Sequence, residues 1–238
     1  KRISGFNKRS VNMKSFRKNI AVYYKINFRN VFLFISSYLM PIVFYLMFSA
    51  VFVSISEENK KTIIRSMCLF AITMNSLVGL PGNVIQYSVG DINRAYIIGG
   101  IRLWHVFLSI AINNMINSII VCTLIILTAP VFFHVVLPAS LGYFLCTLLA
   151  CIVISTLFGI VIGMVCKSDN VAIIVSQCLF LPSIFLSGIM MDVSILPSVM
   201  RKISNIFPLT HMFVFTDRIQ LVSAIYISCI TVVCLIVV

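Results

Sequence analysis

The sequence predicts an all-α integral membrane protein: six transmembrane helices, an amphipathic interfacial helix at the N-terminus, and short re-entrant helices before the last span. Three observations predict it. Hydrophobic residues make up 61% of the 238 residues, and charged residues only 10%. Soluble domains carry about 25% charge, so this chain cannot coat a water-facing surface. Its mean hydropathy is +1.10. Apolar runs of spanning length, near 20 residues, recur along the whole sequence and divide it by short polar breaks. Together these exclude a soluble enzyme, a disordered tail and a free nucleic-acid binder.

The first element is basic. Nine of the eighteen Lys and Arg lie before residue 30. On a helix over 11–29, Lys14, Arg17, Lys18, Lys25 and Arg29 fall within an arc of about 120°. Met13, Phe16, Ile20, Tyr23 and Tyr24 take the far side. That is the pattern of a helix lying in the headgroup layer. The first 29 residues lack the apolar core of a cleavable signal peptide. The sequence begins at Lys1 and stops within an apolar run at Val238, so further terminal residues are expected.

The spans follow in order. Residues 30–56 carry no charge and hold Pro41, which a transmembrane helix tolerates as a kink. A polar loop with Glu57, Glu58, Lys60 and Lys61 leads to a second span over 66–87. Residues 103–166 are 64 positions without a charge, too many for one helix. A turn between Pro130 and Pro138 divides them into spans near 105–129 and 140–165. Lys167 and Asp169 mark a tight loop before a fifth span over 171–187, and 221–238 form a sixth. With the N-terminus in the cytoplasm, inner segments hold twelve basic residues and outer ones six. The positive-inside rule therefore places the N-terminus inside.

Polar residues within the spans are few. Asn113, Asn114 and Asn117 share one side of the third span; Asn75, Asn83 and Gln86 lie in the second. In lipid such groups serve as interhelical glue or as the wall of a translocation path, and Asn113 and Asn117 are the candidates for a cargo path. Ser155, Gly159 and Gly163 form a small-residue stripe on the fourth span, expected to permit close packing. The eight cysteines form no CxxC pair and read as small buried hydrophobes.

Missing motifs narrow the function. The sequence has no GxxxxGK[ST], HExxH or GxSxG, and its three histidines, His105, His134 and His211, are far apart. No Asp, Glu, Lys or Arg sits near the middle of a span, which argues against a proton or sodium relay. Two segments carry the remaining signal. Residues 88–104 hold Gly90, Asp91, Arg94, Tyr96 and Arg102 in a loop that is cytoplasmic on this topology. Residues 188–220 are too polar to span and too apolar for a free loop. There Ile195, Leu196, Val199, Met200, Ile203, Ile206 and Phe207 recur at helical spacing, with Pro197 near the start and Pro208 at the end, which fits a short helix dipping into the outer leaflet.

With these features in order, nearly the whole chain resembles the type-2 ABC transporter permease family, the membrane half of bacterial ATP-driven exporters. The most specific match is the block Ser187-Gly188, Leu196-Pro197 and Pro208-Leu209-Thr210 before the last span. The resemblance implies a permease that pairs with a second permease, identical or paralogous, in a bacterial cytoplasmic membrane. It further implies two copies of a soluble P-loop ATPase that bind ATP and Mg, leaving this chain with no cofactor and no catalytic site. Gly90, Asp91, Arg94, Tyr96 and Arg102 would then form the ATPase-coupling helix. Ser187, Gly188, Leu196, Pro197 and Pro208 would form the outer gate. Where the family often has glutamates before the loop glycine, this chain has Tyr87 and Val89. Few internal charges and many Phe and Met suit an amphipathic or lipophilic cargo such as a small peptide, antibiotic or drug. A polysaccharide or glycolipid exporter is the alternative. An ion-coupled carrier would instead transport without an ATPase, and a membrane enzyme would turn over alone and fail when a histidine is changed.

Overall fold

The structure is a computed structural model describing residues 31–55, 60, 62–89, 103–135, 137–138, 140–166, 168–190, 193, 196–217 and 220–237. The interfacial helix expected over 11–29 lies outside these residues, as does the loop from Gly90 to Arg102.

Each of the long described helices follows an apolar run. Helix α1 runs over Val31–Phe34, widens into a π-helical stretch at Ile35–Leu39 and continues over Met40–Ile55. Helix α2 has the same design: Ile63–Thr73, a π stretch at Met74–Gly79, then Leu80–Val89. In both helices a proline, Pro41 or Pro81, follows the wide stretch. A proline ring clashes with the carbonyl four residues back, here Ser37 or Leu77, and each of these lies inside its π stretch. The wider turn moves that carbonyl away.

Helix α3 spans Leu103–Phe133 and passes through Pro130, which lies in its last turn. It therefore ends later than the 129 expected from the proline. His134, at φ 50°, terminates it in the left-handed region, where a polar residue occasionally replaces glycine. Helix α4 is Leu141–Val165. Helix α5 is Asp169–Leu186, capped by the Ser168 hydroxyl, which accepts from the Val171 amide at 3.5 Å. Two short helices, α6 (Ser198–Ser204) and α7 (Pro208–Asp217), precede α8 (Leu221–Val237).

Five of these helices are long and apolar enough to cross a membrane: α1, α2, α3, α4 and α5. The sixth apolar helix, α8, has 17 residues. The bundle is organised around α2. Within the bundle 72% of that span is buried, against 22% for α1 and 28% for α5. The small-residue stripe explains how α4 reaches it. A Cβ on Gly159 would collide with the Ser76 carbonyl oxygen of α2, and one on Gly163 would lie 2.5 Å from Val84 Cβ. Only glycine lets the two backbones approach so closely. The core around this contact is aliphatic and aromatic, with Met67, Leu69, Phe70, Ile72, Ile125 and Phe144 all buried. All eight cysteines are free thiols, and five of them are buried.

Candidate functional site

Two constellations stand out, one inside the bundle and one around α6 and α7. The first is polar. Asn113, Asn114 and Asn117 on α3 are all buried, and they face the π stretches of α1 and α2. Asn114 Nδ2 donates to Ser76 Oγ on α2 and Thr156 Oγ1 on α4, both at 3.0 Å. It thus ties three helices at one point, as the glue reading of such residues expects. The Tyr38 hydroxyl of α1 donates to Asn117 Oδ1. Asn113 and Asn75 behave differently. Asn113 Oδ1 and both polar atoms of the Asn75 side chain have no hydrogen-bond partner. Leaving a buried polar group unpaired costs about 1–3 kcal/mol. These residues, with Ser37 and Asn83, line a small polar niche.

The second constellation begins at the end of α5. Ser187 is fully buried and its amide donates to the Ser183 carbonyl at 3.0 Å. Gly188 then turns the chain at φ +87°, the left-handed stop that favours glycine. Phe213 Cε1 and Val193 Cγ2 also crowd it: a Cβ there would lie 3.3 and 3.0 Å from them. Leu196 and Pro197 lead into α6, where the Arg201 amide donates to the Pro197 carbonyl at 3.0 Å. Val199, Met200 and Ile206 are exposed apolar side chains in this segment.

The turn from α6 to α7 is held by polar side chains. Ser204 Oγ donates to the Leu186 carbonyl at 2.7 Å, and Thr210 Oγ1 donates to the Ser204 carbonyl at 2.7 Å. His211 Nε2 lies 3.0 Å from the Asn205 carbonyl, while its Nδ1 lies 3.3 Å from Ser223 Oγ on α8. The Tyr226 hydroxyl of α8 donates to the Ile206 carbonyl. Pro208 opens α7 beside mid-helix residues of α2, α4 and α5. With Leu77, Phe158, Leu179 and Met212 it lines an apolar cavity of about 60 Å³. From there α7 runs to the far ends of the bundle helices. Tyr143, in the first turn of α4, donates to the Phe215 carbonyl at 2.6 Å. Asp217 pairs with Arg65, near the start of α2, and the same guanidinium stacks 4.5 Å over the Phe213 ring.

The structure therefore gathers Ser187, Gly188, Leu196, Pro197 and Pro208 around one helix–turn–helix, and places Asn113 and Asn117 together in the bundle. Gly90, Asp91, Arg94, Tyr96 and Arg102 lie outside the described residues. Sequence reasoning missed the Arg65–Asp217 pair because a search for charge-free runs starts the second span after Arg65, whereas α2 begins at Ile63. It also missed the tie from His211 and Tyr226, which spacing does not reveal. Among the described residues no group of three or more His, Cys, Asp and Glu side chains forms a metal site.

Comparison with known proteins adds one finding. The family model described as ABC-2 type transporter matches residues 15–221, most of the chain. No curated protein matches it.

Proposed function

The chain belongs to the ABC-2 type transporter family, and we propose that it is the permease of an exporter driven by a separate ATPase. It is a multi-pass membrane permease and a transport subunit, not a catalyst. The finer reading is that it moves an amphipathic or lipophilic cargo, such as a small peptide, antibiotic or drug, out across a bacterial cytoplasmic membrane. The match over residues 15–221 carries the permease reading, and the few internal charges and many Phe and Met support the choice of cargo. Proteins of this family generally partner with a P-loop ATPase subunit, which supports a fuel-binding partner.

On this reading α8 is the sixth span and the N-terminus is cytoplasmic. The loop of Gly90, Asp91, Arg94, Tyr96 and Arg102 is the coupling helix that two ATPase copies grip, one on each permease of a dimer. It joins α2 to α3, the helices that carry Asn113, Asn117 and the buried Asn75. Motion at the loop thus reaches the interior directly. Helices α6 and α7 dip into the outer leaflet as re-entrant elements, with Ser187, Gly188, Leu196, Pro197 and Pro208 as the outer gate. Support comes from α7, whose first turn meets mid-helix residues while its last turn pairs with the start of α2. For ATP to drive transport, the ATPase must bind the inward- and outward-facing forms unequally.

The test is reconstitution. The chain should co-purify with a soluble P-loop ATPase, and sealed vesicles holding both should transport a fluorescent lipophilic peptide or drug only with ATP. Equal transport by the chain alone, driven by an ion gradient, would overturn the reading.

A further inference from the structure

The apolar cavity at the tip of α7 is built to stay dry. Its wall holds three hydroxyls, and each is already spent. Thr73 Oγ1 donates to the Leu69 and Phe70 carbonyls, Ser183 Oγ to the Leu179 carbonyl and Ser155 Oγ to Met212 Sδ. Pro208, which opens α7 there, has no amide hydrogen to offer. A buried water makes about three hydrogen bonds, and none of these hydroxyls has a proton left to donate. The cavity measures about 60 Å³. One water-sized group needs about 10–15 Å³, so about four such groups fit, the length of the last few carbons of an alkyl chain. Its depth is also defined. Thr73 and Leu77 are near the middle of α2, Ser155 of α4 and Leu179 of α5. Helices of spanning length place their middles near the bilayer centre, where acyl chains end. The cavity is not sealed. Leu179 is 40% exposed and belongs to a helix of which only 28% is buried, so the opening is continuous with the outward-facing surface of α5.

We propose that this cavity receives the terminal carbons of an alkyl chain, which enters sideways from the bilayer beside Leu179. Only the chain end has to fit; the rest stays in the hydrocarbon and needs no room in the protein. Entry gains nothing from leaving water, since lipid is already apolar. It gains contact. Atoms around an empty space forfeit their dispersion partners, and a flexible chain end restores them. A charged or hydrogen-bonding end would find no partner here and is excluded. The occupant lies against Pro208 and Met212 and so supports the tip of α7. The site stands on the fold alone. On the transport reading the same support would bear on the outer gate, but binding needs no ATPase, so its failure would leave ATP-driven export standing.

The experiment uses the full chain, without ATPase, in phosphatidylcholine nanodiscs. A trace of the phosphatidylcholine carries a diazirine, either at the end of one acyl chain or beside its ester. Light expels dinitrogen, and the carbene inserts into a nearby C–H bond that peptide mass spectrometry locates. Met212 is 2% exposed and Leu209 3%, so labelling there reports entry into the cavity and not contact with the surface. The chain-end probe should label Met212 or Leu209, and the ester-side probe should not. That contrast is read on the wild type and does not depend on a variant. Ser183→Leu fills the cavity and should abolish this labelling while exposed Ile174 is still labelled. A free n-octyl chain with the same terminal diazirine separates the sources. Labelling by both chain ends assigns the site to membrane lipid, labelling by the free chain alone to a lipophilic solute, and either result upholds it. No labelling of Met212 or Leu209 by either chain end, equal labelling by the chain-end and ester-side probes, or a signal that survives Ser183→Leu overturns the proposal. An opening plugged by a second copy of the chain gives the first of these results.

Discussion

Gly159→Ala tests the central packing contact of the bundle. The new methyl would overlap the Ser76 carbonyl oxygen and stand 3.0 Å from its carbon and 3.1 Å from Leu80 Cδ2. Carbon contacts settle near 3.5–4.0 Å, so α2 and α4 must part by about 1 Å at this level. Ser76 is backbone-anchored in a wide turn and cannot swing aside as a flexible side-chain tip could. Overpacking of this kind costs about 1–3 kcal/mol. Asn114 of α3 holds both helices, through Ser76 and Thr156, so the same shift stretches one of its two 3.0 Å bonds beyond hydrogen-bonding range, for about 1 kcal/mol more. Alanine's better helix propensity returns about 0.5–1 kcal/mol. The balance is a loss of about 2 kcal/mol, or a Tm lower by about 4–8 °C. A thiol-reactive dye reports it, because Cys68, Cys122 and Cys151 are buried and react only on unfolding. Gly142→Ala, in the first turn of the same helix with no neighbour within 4 Å, is the control and should melt at or slightly above the wild type. If Gly159→Ala also melts within about 1 °C of it, the close-approach argument is refuted.

Further outcomes follow from the other features. Gly188→Ala places a side chain at φ +87° and 3.0 Å from Val193 Cγ2, so it should cost about 1–3 kcal/mol and reduce transport in reconstituted vesicles. Asp217→Asn removes the pairing with Arg65, but Asp217 is 61% exposed. Stability should fall by no more than about 1 kcal/mol, and a larger drop in the melting assay would show that the pair acts as a buried one. Asp91→Lys with Arg94→Glu should leave ATPase turnover running while transport falls, and normal transport would remove that loop from the coupling role. In a cysteine-free background, a thiol placed at Asn93 should label only from inside and one at Asn205 only from outside. Reversed labelling would invert the topology.

Much of the fold was legible because lipid imposes simple demands. Charge-free runs of spanning length had to be helices, and the helices appear within a few residues of the expected bounds. The stripe of Ser155, Gly159 and Gly163 is read from sequence because close backbone approach needs small residues at that spacing. The site was legible only in part. Asn113, Asn114 and Asn117 stand on one helix side by arithmetic alone, yet nothing local says that Asn114 is satisfied by Ser76 and Thr156 while Asn113 keeps a bare oxygen. That difference depends on which residues of two other helices arrive opposite. Periodicity likewise assumes 3.6 residues per turn, so it cannot announce a π stretch. The prolines at 41 and 81 are the available signal, but Pro130 and Pro182 sit in helices without one. A proline marks where widening is favourable, and the tertiary setting decides whether it occurs.

Those wide turns have a bearing on how the protein can vary in length. A π turn holds more residues than the ordinary winding requires. A chain shortened by one residue within 35–39 or 74–79 can fall back to regular α-helix, with both halves still facing their present neighbours. The same deletion elsewhere in a span swings every later side chain by about 100° and turns its inward-facing row toward lipid. Slack in α1 and α2 is thus confined to two short windows, and both open onto the asparagines of α3.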